Sequence, residues 1–253
     1  MPESLPHYLW RFMENERIFD SSSSPEARVY YIDKGDGYYL KRSALGSLAD
    51  EAKMSAYFHK KGIGAEVLYY ESLEYDWLLT RAVAGEDCTH ERYLSDPRRL
   101  ATLMGEELSR LHEIDFSDCP IQNRMDSYIA LAEKNYREGT YDKSHFPDSF
   151  GYKNEAEAYA AFCKGRGLFK NEVLLHGDFC LPNICLDGWR LSAYIDVGFG
   201  GVGDRHVDLF WGSWTLGFNL GTNEYADVFF DAYGRDKINF DIMKAVAAAE
   251  VFR

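Results

Sequence analysis

Residues 173–198 read VLLHGDFCLPNICLDGWRLSAYIDVG, and the expected architecture follows from this stretch. Its first three residues are apolar and predict a short buried strand. Two further apolar runs flank the turn Asp187-Gly188, which predicts a β-hairpin. Asp178 and Asn183 precede this hairpin and Asp196 follows it, so the hairpin is expected to bring three oxygen-bearing side chains together.

A set of this kind suits a hard cation. Mg²⁺ prefers oxygen ligands, usually one or two carboxylates together with the phosphate oxygens of a substrate. A carboxylate that does not bind the metal is then free to act as a base. The alternative is a hairpin with capped turns, in which the same side chains only satisfy backbone groups.

The spacing of these residues resembles two kinase motifs. His176-x-Asp178-x₄-Asn183 resembles the kinase catalytic loop, and Ile195-Asp196-x-Gly198 resembles the metal-binding Asp-Phe-Gly element. The His-Gly-Asp, Leu-Pro-Asn and Ile-Asp-x-Gly forms are similar to those of the aminoglycoside phosphotransferases, above all the 3′-phosphotransferase branch. The resemblance extends over nearly the whole chain, with counterparts at Asp118-Cys119-Pro120, Asp126-Ser127, Gly203-Asp204-Arg205, Asp208 and Glu250-Val251-Phe252.

The resemblance implies an enzyme that transfers the γ-phosphate of ATP or GTP to a hydroxyl of an aminoglycoside, at the 3′ position, and so gives resistance. Asp178 would accept or orient the proton of the attacking hydroxyl, while Asn183 and Asp196 would hold Mg²⁺ against the nucleotide phosphates. His176 would support the loop by hydrogen bonding. Direct in-line transfer is expected, and positioning and charge neutralisation supply most of the catalysis of such a step.

The resemblance also implies a nucleotide site near the beginning of the chain. Lys41 would act as a point charge for the phosphates, and Glu51 on the next helix would pair with it. Tyr39 would lie near the adenine ring. Each of these residues has a plain structural alternative, namely a surface lysine, a solvated glutamate and an ordinary strand tyrosine.

The remaining nucleotide contacts are expected from a loop, a hinge and an apolar floor. The loop Ser21–Arg28 stands in place of a glycine-rich phosphate loop, and Ser24 is its candidate phosphate ligand. The hinge would bond the purine edge through backbone groups, and the floor would cover the purine. These positions are Arg81 and Val83 for the hinge and Cys185 and Ile195 for the floor.

The substrate end departs from the family pattern. An aminoglycoside carries several ammonium groups, so its pocket needs carboxylates and acceptors. The candidate substrate residues are Asn219, Glu250, Phe252 and Arg253. Asn219 stands where the family often has an acidic residue, and Arg253 adds a positive charge. Glu250 has two interpretations, a drug contact or a solvated helix end.

The chain is expected to form a two-lobed α+β fold of the protein-kinase-like class. Residues 1–82 would form a small β-rich nucleotide-binding lobe, and residues 83–253 a larger helical lobe that carries catalysis and substrate binding. The predicted elements of the small lobe are a helix capped by Ser47 and strands at Arg28–Ile32, Tyr38–Arg42, Val67–Tyr70 and Trp77–Ala82, behind an N-terminal segment that is either a helix or another strand.

Composition sets limits on the partners. The 253 residues include 28 Lys and Arg against 41 Asp and Glu, a formal net charge of −13 at pH 7. This balance argues against binding to nucleic acid or to an anionic membrane, and it fits a cationic ligand. Five scattered cysteines, without a signal peptide or a membrane-spanning run, predict reduced thiols in the cytoplasm. Composition does not indicate an oligomeric state.

Three other functional classes stay open on the sequence. One is a kinase for another small metabolite, such as choline, homoserine or an amino sugar. A protein kinase is disfavoured because the chain lacks a glycine-rich loop and an Ala-Pro-Glu segment. A nucleotide-binding protein without catalysis is disfavoured because Lys41, Asp178, Asn183 and Asp196 all stand at their expected positions.

Overall fold

The computed structural model describes residues 5–23, 25–142 and 150–253, which form nine α-helices and ten β-strands. The strands are β1 (Arg17–Asp20), β2 (Ala27–Asp33), β3 (Tyr38–Ser43), β4 (Val67–Ser72), β5 (Asp76–Arg81), β6 (Glu86–Asp87), β7 (Val173–Leu175), β8 (Ile184–Asp187), β9 (Arg190–Tyr194) and β10 (Gly201–Gly203). The helices are α1 (His7–Met13), α2 (Ala49–Lys60), α3 (Glu91–Leu94), α4 (Pro97–His112), α5 (Arg124–Glu138), α6 (Glu155–Gly165), α7 (His206–Leu220), α8 (Ala226–Tyr233) and α9 (Phe240–Glu250).

The chain divides into two compact units. The first unit comprises Met1–Glu86 with Ile184–Gly198, and the second comprises Asp87–Asn183 with Phe199–Arg253. The boundary near Glu86 lies close to the expected division at residues 82 and 83. The hairpin β8–β9 also belongs to the first unit, which a division in simple chain order does not predict. There the Tyr194 N–H donates to the Ile63 carbonyl at 2.8 Å.

The first unit is built on a five-stranded antiparallel sheet in the order β1-β2-β3-β5-β4. The four predicted strands are all present. The N-terminal segment supplies both of the alternatives, helix α1 and edge strand β1. One face of the sheet is closed by apolar side chains, which are Leu9, Met13, Ile32, Leu40, Trp77 and Leu79.

Helix α2 begins differently from the expectation. Its N-cap residue is Leu48, and the Ser47 hydroxyl instead donates to the Ala44 carbonyl at 2.6 Å. The carboxylate of Asp76, at the start of β5, accepts the N–H groups of Gly46 and Leu48, each at 2.8 Å. Asp76 therefore fixes the backbone just before α2, and among the described residues no side chain caps the helix as was expected of Ser47.

The second unit is mainly helical and encloses its own core. The sequence Ser95-Asp96-Pro97 predicts a helix start with proline at the first helical position, and Asp96 caps α4 through the Arg99 N–H. Helix α4 packs closely on α8, since a Cβ at Gly105 would lie 2.4 Å from the Phe229 carbonyl oxygen. The sequence pattern of residues 126–164 predicts helix, broken by a loop near Lys143–Lys153, and α5 and α6 agree with it. Residues 143–149 of that loop lie outside the described residues.

A two-stranded ladder of β7 and β10 completes the second unit. The sequence predicts β7 but not β10, whose three residues Gly201–Gly203 carry little strand propensity. Tertiary pairing with Val173–Leu175 forms the strand. Across residues 5–23, 25–142 and 150–253, no helix has both the length and the apolar character needed to cross a membrane.

Candidate active site

The candidate catalytic loop leaves β7 in the second unit and is fastened to α7. Asp208, which is fully buried in the first turn of α7, accepts the His176 N–H at Oδ2 and the Gly177 N–H at Oδ1, both at 2.8 Å. His112 also contacts Asp208, from Nε2 at 3.1 Å. A single carboxylate therefore holds two consecutive peptide groups immediately before Asp178.

His112 supports that carboxylate from α4. Its Nδ1 lies 2.8 Å from the Tyr233 hydroxyl, and its ring is buried. Burial lowers the pKa of His112, against the opposing influence of Asp208. A neutral ring satisfies both contacts, because it donates from Nε2 to Asp208 and accepts the Tyr233 hydroxyl at Nδ1.

Gly177 is required where the loop turns. Its φ of +85° lies in the region that favours glycine, and a Cβ there would lie 2.1 Å from the Phe199 carbonyl oxygen. The Asp178 N–H donates to His176 Nδ1 at 3.3 Å. His176 thus supports the loop by a hydrogen bond, in agreement with the sequence interpretation.

Asp178 and Asn183 are in direct contact. The Asn183 side-chain nitrogen donates to Asp178 Oδ2 at 2.8 Å and to the Asp178 carbonyl at 3.0 Å. Asn183 is buried and Asp178 is partly exposed. Cys180 lies between these two residues in the sequence. Burial and the Asp178 carboxylate raise the pKa of its thiol, which keeps the thiol protonated. The five-residue spacing of Asp178 and Asn183 therefore corresponds to a local turn in which the Asp178 carboxylate is partly exposed.

The first unit carries the candidate nucleotide residues. Lys41 Nζ on β3 lies 2.9 Å from both carboxylate oxygens of Glu51 on α2, the pairing that the resemblance implies. Lys41 also contacts Asp196 Oδ1 at 2.9 Å, which the sequence analysis did not anticipate. One cation thus lies between two carboxylates.

The two carboxylates keep Lys41 protonated. Burial alone would lower the pKa of Lys41, but Asp196 and Glu51 raise it above its ordinary value. Burial also raises the pKa of Glu51, against the lowering influence of Lys41. Asp196 has a φ of +55°, a conformation uncommon for a residue with a side chain, and its side chain is 50% exposed.

The other candidate nucleotide residues are also in the first unit. Tyr39 shares a face of β3 with Lys41 because side chains alternate along a strand, and its ring is 40% exposed. Cys185 on β8 is buried and Ile195 is partly buried. Ser24 lies outside the described residues. Among the described residues nearby, the Val29 N–H donates to the Ser22 hydroxyl at 2.9 Å.

One backbone group of Arg81 is engaged within the protein, and the hinge role of Arg81 and Val83 stays a prediction. The Arg81 backbone N–H already donates to the Glu66 carbonyl at 2.9 Å, because Arg81 ends strand β5. Its side chain pairs with Glu66 at 2.8 Å. The Arg81 N–H is therefore committed to the protein, whereas Val83 lies beyond the strand and is partly buried.

The candidate substrate residues belong to the second unit, and two of them differ from expectation. Phe252 has no exposed area and packs edge-on against Tyr136, Tyr141 and Tyr159, so its ring has no open face for a ligand. Glu250 is 4% exposed, which corrects the interpretation of a solvated helix end.

Asn219 and Arg253 are both engaged within the protein. The Asn219 side chain donates to the Thr215 carbonyl at 2.8 Å within α7. Arg253 contacts Glu250 at 3.1 Å. Among the described residues, no group of three His, Cys, Asp or Glu side chains has the arrangement of a metal site.

A groove of about 390 Å³ runs along α5 in the second unit. Its lining combines apolar and aromatic surface with basic groups, and the residues are Arg124, Ser127, Tyr128, Ala130, Leu131, Lys134, Phe199 and Arg253. The groove adjoins the catalytic loop through Phe199, whose carbonyl faces Gly177.

These features define a phosphotransferase with a kinase-like α+β fold: an anchored Asp178 loop on a helical unit, and a lysine held by carboxylates on an antiparallel sheet. Residues 22–246 match the phosphotransferase enzyme family, and the chain belongs to that family.

Named relatives cover nearly the whole chain. A probable aminoglycoside 3′-phosphotransferase of Lactococcus lactis is 45% identical over 99% of this chain and 95% of its own length. An aminoglycoside 3′-phosphotransferase of Streptomyces fradiae is 26% identical over 92% of this chain and 91% of its own. The fold resembles the crystal structure of a type VIII aminoglycoside-3′-phosphotransferase, with a TM-score of 0.79 and 24% identity over 94% of each chain.

Proposed function

We propose that this enzyme transfers the γ-phosphate of ATP or GTP to a hydroxyl of an aminoglycoside antibiotic, at the 3′ position. The Asp178–Asn183 contact on a loop anchored by Asp208 carries the proposal, because it places a partly exposed carboxylate beside an amide in a rigid turn. The acceptor class is supported by the 45% identity to the Lactococcus lactis relative. Chemistry of this kind protects a cell from the drug.

Each unit has its own part in the proposed step. Asp178 accepts a hydrogen bond from the acceptor hydroxyl and directs its lone pair toward the phosphorus, while Asn183 fixes the carboxylate. Lys41 binds phosphate oxygens as a point charge, and Glu51 holds it in position. Tyr39, Val83, Cys185 and Ile195 are proposed to surround the nucleotide base. Because the transition state is loose, positioning of these groups is the main source of rate.

The residues present fit a magnesium ion. The Asn183 amide nitrogen is used by Asp178, so the amide oxygen is the atom that can serve as a ligand. Asp196 offers a half-exposed carboxylate. Carboxylate and amide oxygens are hard ligands of the type that Mg²⁺ prefers. Asn183 and Asp196 are therefore the proposed ligands, and the ion when bound would neutralise charge on the nucleotide phosphates.

A cytoplasmic setting suits this reaction. All five cysteines are free thiols, four of them buried. Such thiols persist where the surroundings are reducing, and nucleoside triphosphates are found in the same compartment. We propose that the enzyme acts there on nucleotide and a cationic small molecule.

The groove favours one alternative acceptor class. Its described lining contains three basic side chains and no Asp or Glu side chain, a poor match for a molecule with several ammonium groups. A kinase for a small hydroxyl metabolite of the choline, homoserine or amino-sugar type is therefore the second candidate.

A nucleotide-release assay separates the two candidates. Purified enzyme with Mg²⁺ and either ATP or GTP is given kanamycin, neomycin, amikacin, choline or homoserine, and ADP or GDP release is followed. Turnover of the three drugs, which all bear a 3′-hydroxyl, and not of tobramycin, an added control that lacks it, is the expected result. Turnover of only choline or homoserine would show that the enzyme is a kinase for a small hydroxyl metabolite.

Asp178→Asn is the essential comparison in that assay. Because the substitution keeps the shape of the side chain, it should remove roughly 10²–10⁴-fold of kcat without unfolding the protein. Asp187→Asn, at the exposed end of β8, is the matched control and should behave as the wild type. Equal activity of Asp178→Asn and wild type would exclude the proposed role of Asp178.

A further inference from the structure

The groove along α5 differs in charge from the protein around it. The chain as a whole carries a net charge of −13. The groove nevertheless presents Arg124, Lys134 and Arg253, and its described lining includes no Asp or Glu. Phe199 and Leu131 add exposed apolar surface between the basic groups. Lys134 is exposed, whereas Arg124 is buried and donates to the Gly200 carbonyl, and Arg253 is largely buried beside Glu250. An acceptor that enters the groove therefore meets basic groups and no Asp or Glu side chain of the described lining.

Glu250 adds no free carboxylate to this region because hydrogen bonds within the protein already engage it. Its Oε1 accepts a hydrogen bond from the Tyr128 hydroxyl at 2.7 Å and another from the Arg253 guanidinium at 3.1 Å. The two charged side chains are 10% and 3% exposed, for Arg253 and Glu250 respectively. The carboxylate that could attract a cationic ligand is thus paired inside the protein.

Aromatic contacts hold the guanidinium in that place. The Arg253 guanidinium carbon lies 4.2 Å from the centre of the Tyr128 ring and 5.1 Å from the centre of the Phe199 ring. Contacts of this geometry attract a cation to the faces of aromatic rings. Burial alone would lower the pKa of Arg253, but Glu250 keeps it above its ordinary value. Arg253 is therefore a permanent cation at this position.

The position is relevant to the reaction because Phe199 connects the groove to the catalytic loop. The Phe199 carbonyl lies against Gly177, and Asp178 is the next residue. The Glu250 side chain is 3% exposed and its Oε1 already accepts from Tyr128 and Arg253, so an acceptor ammonium competes with the Arg253 guanidinium for this carboxylate. Displacement of the guanidinium breaks a largely buried ion pair, which is costly.

We infer that Arg253 is a specificity-determining residue that occupies the cation position beside Glu250 and disfavours acceptors with several positive charges. The inference rests on the proposed function only for the identity of the acceptor. It implies that an amine-rich drug binds this enzyme more weakly than the number of its ammonium groups would suggest. An acceptor with a single positive charge should be affected less.

Calorimetric binding of neomycin to the full-length protein, without nucleotide, tests the inference. Arg253→Gln keeps a hydrogen-bond donor near Glu250 and removes the charge, so it should bind neomycin roughly five- to tenfold more tightly than wild type. Arg253→Lys keeps the charge and should stay within about twofold of wild type. Choline, with a single charge, should gain less than neomycin. Unchanged neomycin binding by Arg253→Gln would overturn the inference.

Arg253→Gln combined with Glu250→Gln gives an independent answer, since it replaces the buried ion pair by two amides and leaves the net charge of the pair unchanged. If Arg253 already occupies Glu250 in the wild type, this double variant should bind neomycin within about twofold of wild type. A loss of roughly tenfold or more would mean that the ligand reaches Glu250 in the wild type, and the inference would be wrong. This variant decides the question even where Arg253→Gln fails to fold, as judged by its thermal melt.

The proposed function has a separate readout. Tighter neomycin binding by Arg253→Gln, without drug phosphorylation by any variant, would reject the proposed function and keep the specificity role of Arg253. Drug phosphorylation by wild type with no gain in binding by Arg253→Gln would do the reverse.

Discussion

Lys41 is the residue on which the first unit concentrates its charge, because two carboxylates share it. Lys41→Met should lower the free energy of unfolding by about 3–5 kcal/mol at pH 7, since it leaves Glu51 buried without its cation. Lys53→Met on the exposed side of α2 should change stability by no more than about 0.5 kcal/mol. Urea unfolding of both variants measures the difference.

The pH dependence of Lys41→Met has a definite sign. The fold already raises the pKa of Glu51, and removal of the lysine raises it further. A group with a raised folded pKa stabilises the fold below its unfolded value and loses that contribution as pH rises through the folded value. The cost of Lys41→Met should therefore be smaller at pH 4 than at pH 7, and a larger cost at pH 4 would contradict this account.

Residue-level prediction from sequence succeeds for local spacing and for roles implied by the family resemblance. The pairing of Lys41 with Glu51 is correctly expected, and so is the support of the loop by His176. The second contact of Lys41, with Asp196, joins residues 155 positions apart. No sequence period reports a contact of that kind, because it depends on how the hairpin β8–β9 packs within the first unit.

Helix α7 acts on the catalytic loop through one side chain. Both carboxylate oxygens of Asp208 accept a backbone N–H. Asp208→Asn replaces one of these oxygens with an NH₂ group, which cannot accept. Stability should fall by about 1–3 kcal/mol because a buried N–H loses its partner. The loop should lose its shape, so kcat should fall about 10²-fold while nucleotide affinity stays unchanged.

Titration calorimetry with nucleotide and steady-state kinetics separate these two effects of Asp208→Asn. The matched control is Asp227→Asn in the first turn of α8, which is 80% exposed and should change neither quantity. A fall in nucleotide affinity equal to the fall in kcat would show that Asp208 acts through general unfolding rather than through the loop.

The start of α2 depends on β5 in the same way. Asp76 is fully buried and accepts N–H groups of Gly46 and Leu48 as well as the Ser72 hydroxyl, at 2.5 Å for the last. Burial alone would raise the pKa of Asp76, but these hydrogen bonds lower it. Its contribution is therefore present above an ordinary aspartate pKa and is lost as pH falls through the lowered value.

Asp76→Asn should lower the free energy of unfolding at pH 7 by about 1–3 kcal/mol, because charge-assisted hydrogen bonds are lost and an amide group opposes an N–H. The wild type should approach the variant in stability below pH 4. Asp36→Asn, in an exposed turn, is the control. Chemical unfolding from pH 3 to pH 7 is the measurement, and a constant difference across that range would argue against the role of Asp76.

At the scale of the whole molecule, periodicity and turn residues predict the β-rich beginning and the helical remainder, but not which segments share a core. The hairpin β8–β9 belongs to the first unit although the chain has already left it at Glu86. The burial of Glu250 and Phe252 has the same origin. The sequence leaves a solvated helix end open for Glu250, but the packing of α9 on α6 and α7 takes both residues into the core.

Nucleotide binding should be visible in the stability of the whole chain. A ligand that binds only the folded state stabilises it by about 2.7 kcal/mol at a concentration 100 times its Kd. Mg²⁺ with ATP or GTP should therefore raise the Tm of the wild type. Asp178→Asn should keep this rise because it alters the acceptor side, whereas Lys41→Met should lose most of it because the phosphates lose their cation. Lys53→Met, which keeps Lys41, should behave as wild type. A rise that survives in Lys41→Met would place the phosphates elsewhere, and a rise lost in Asp178→Asn would mean that this residue serves nucleotide binding and not the transfer step alone.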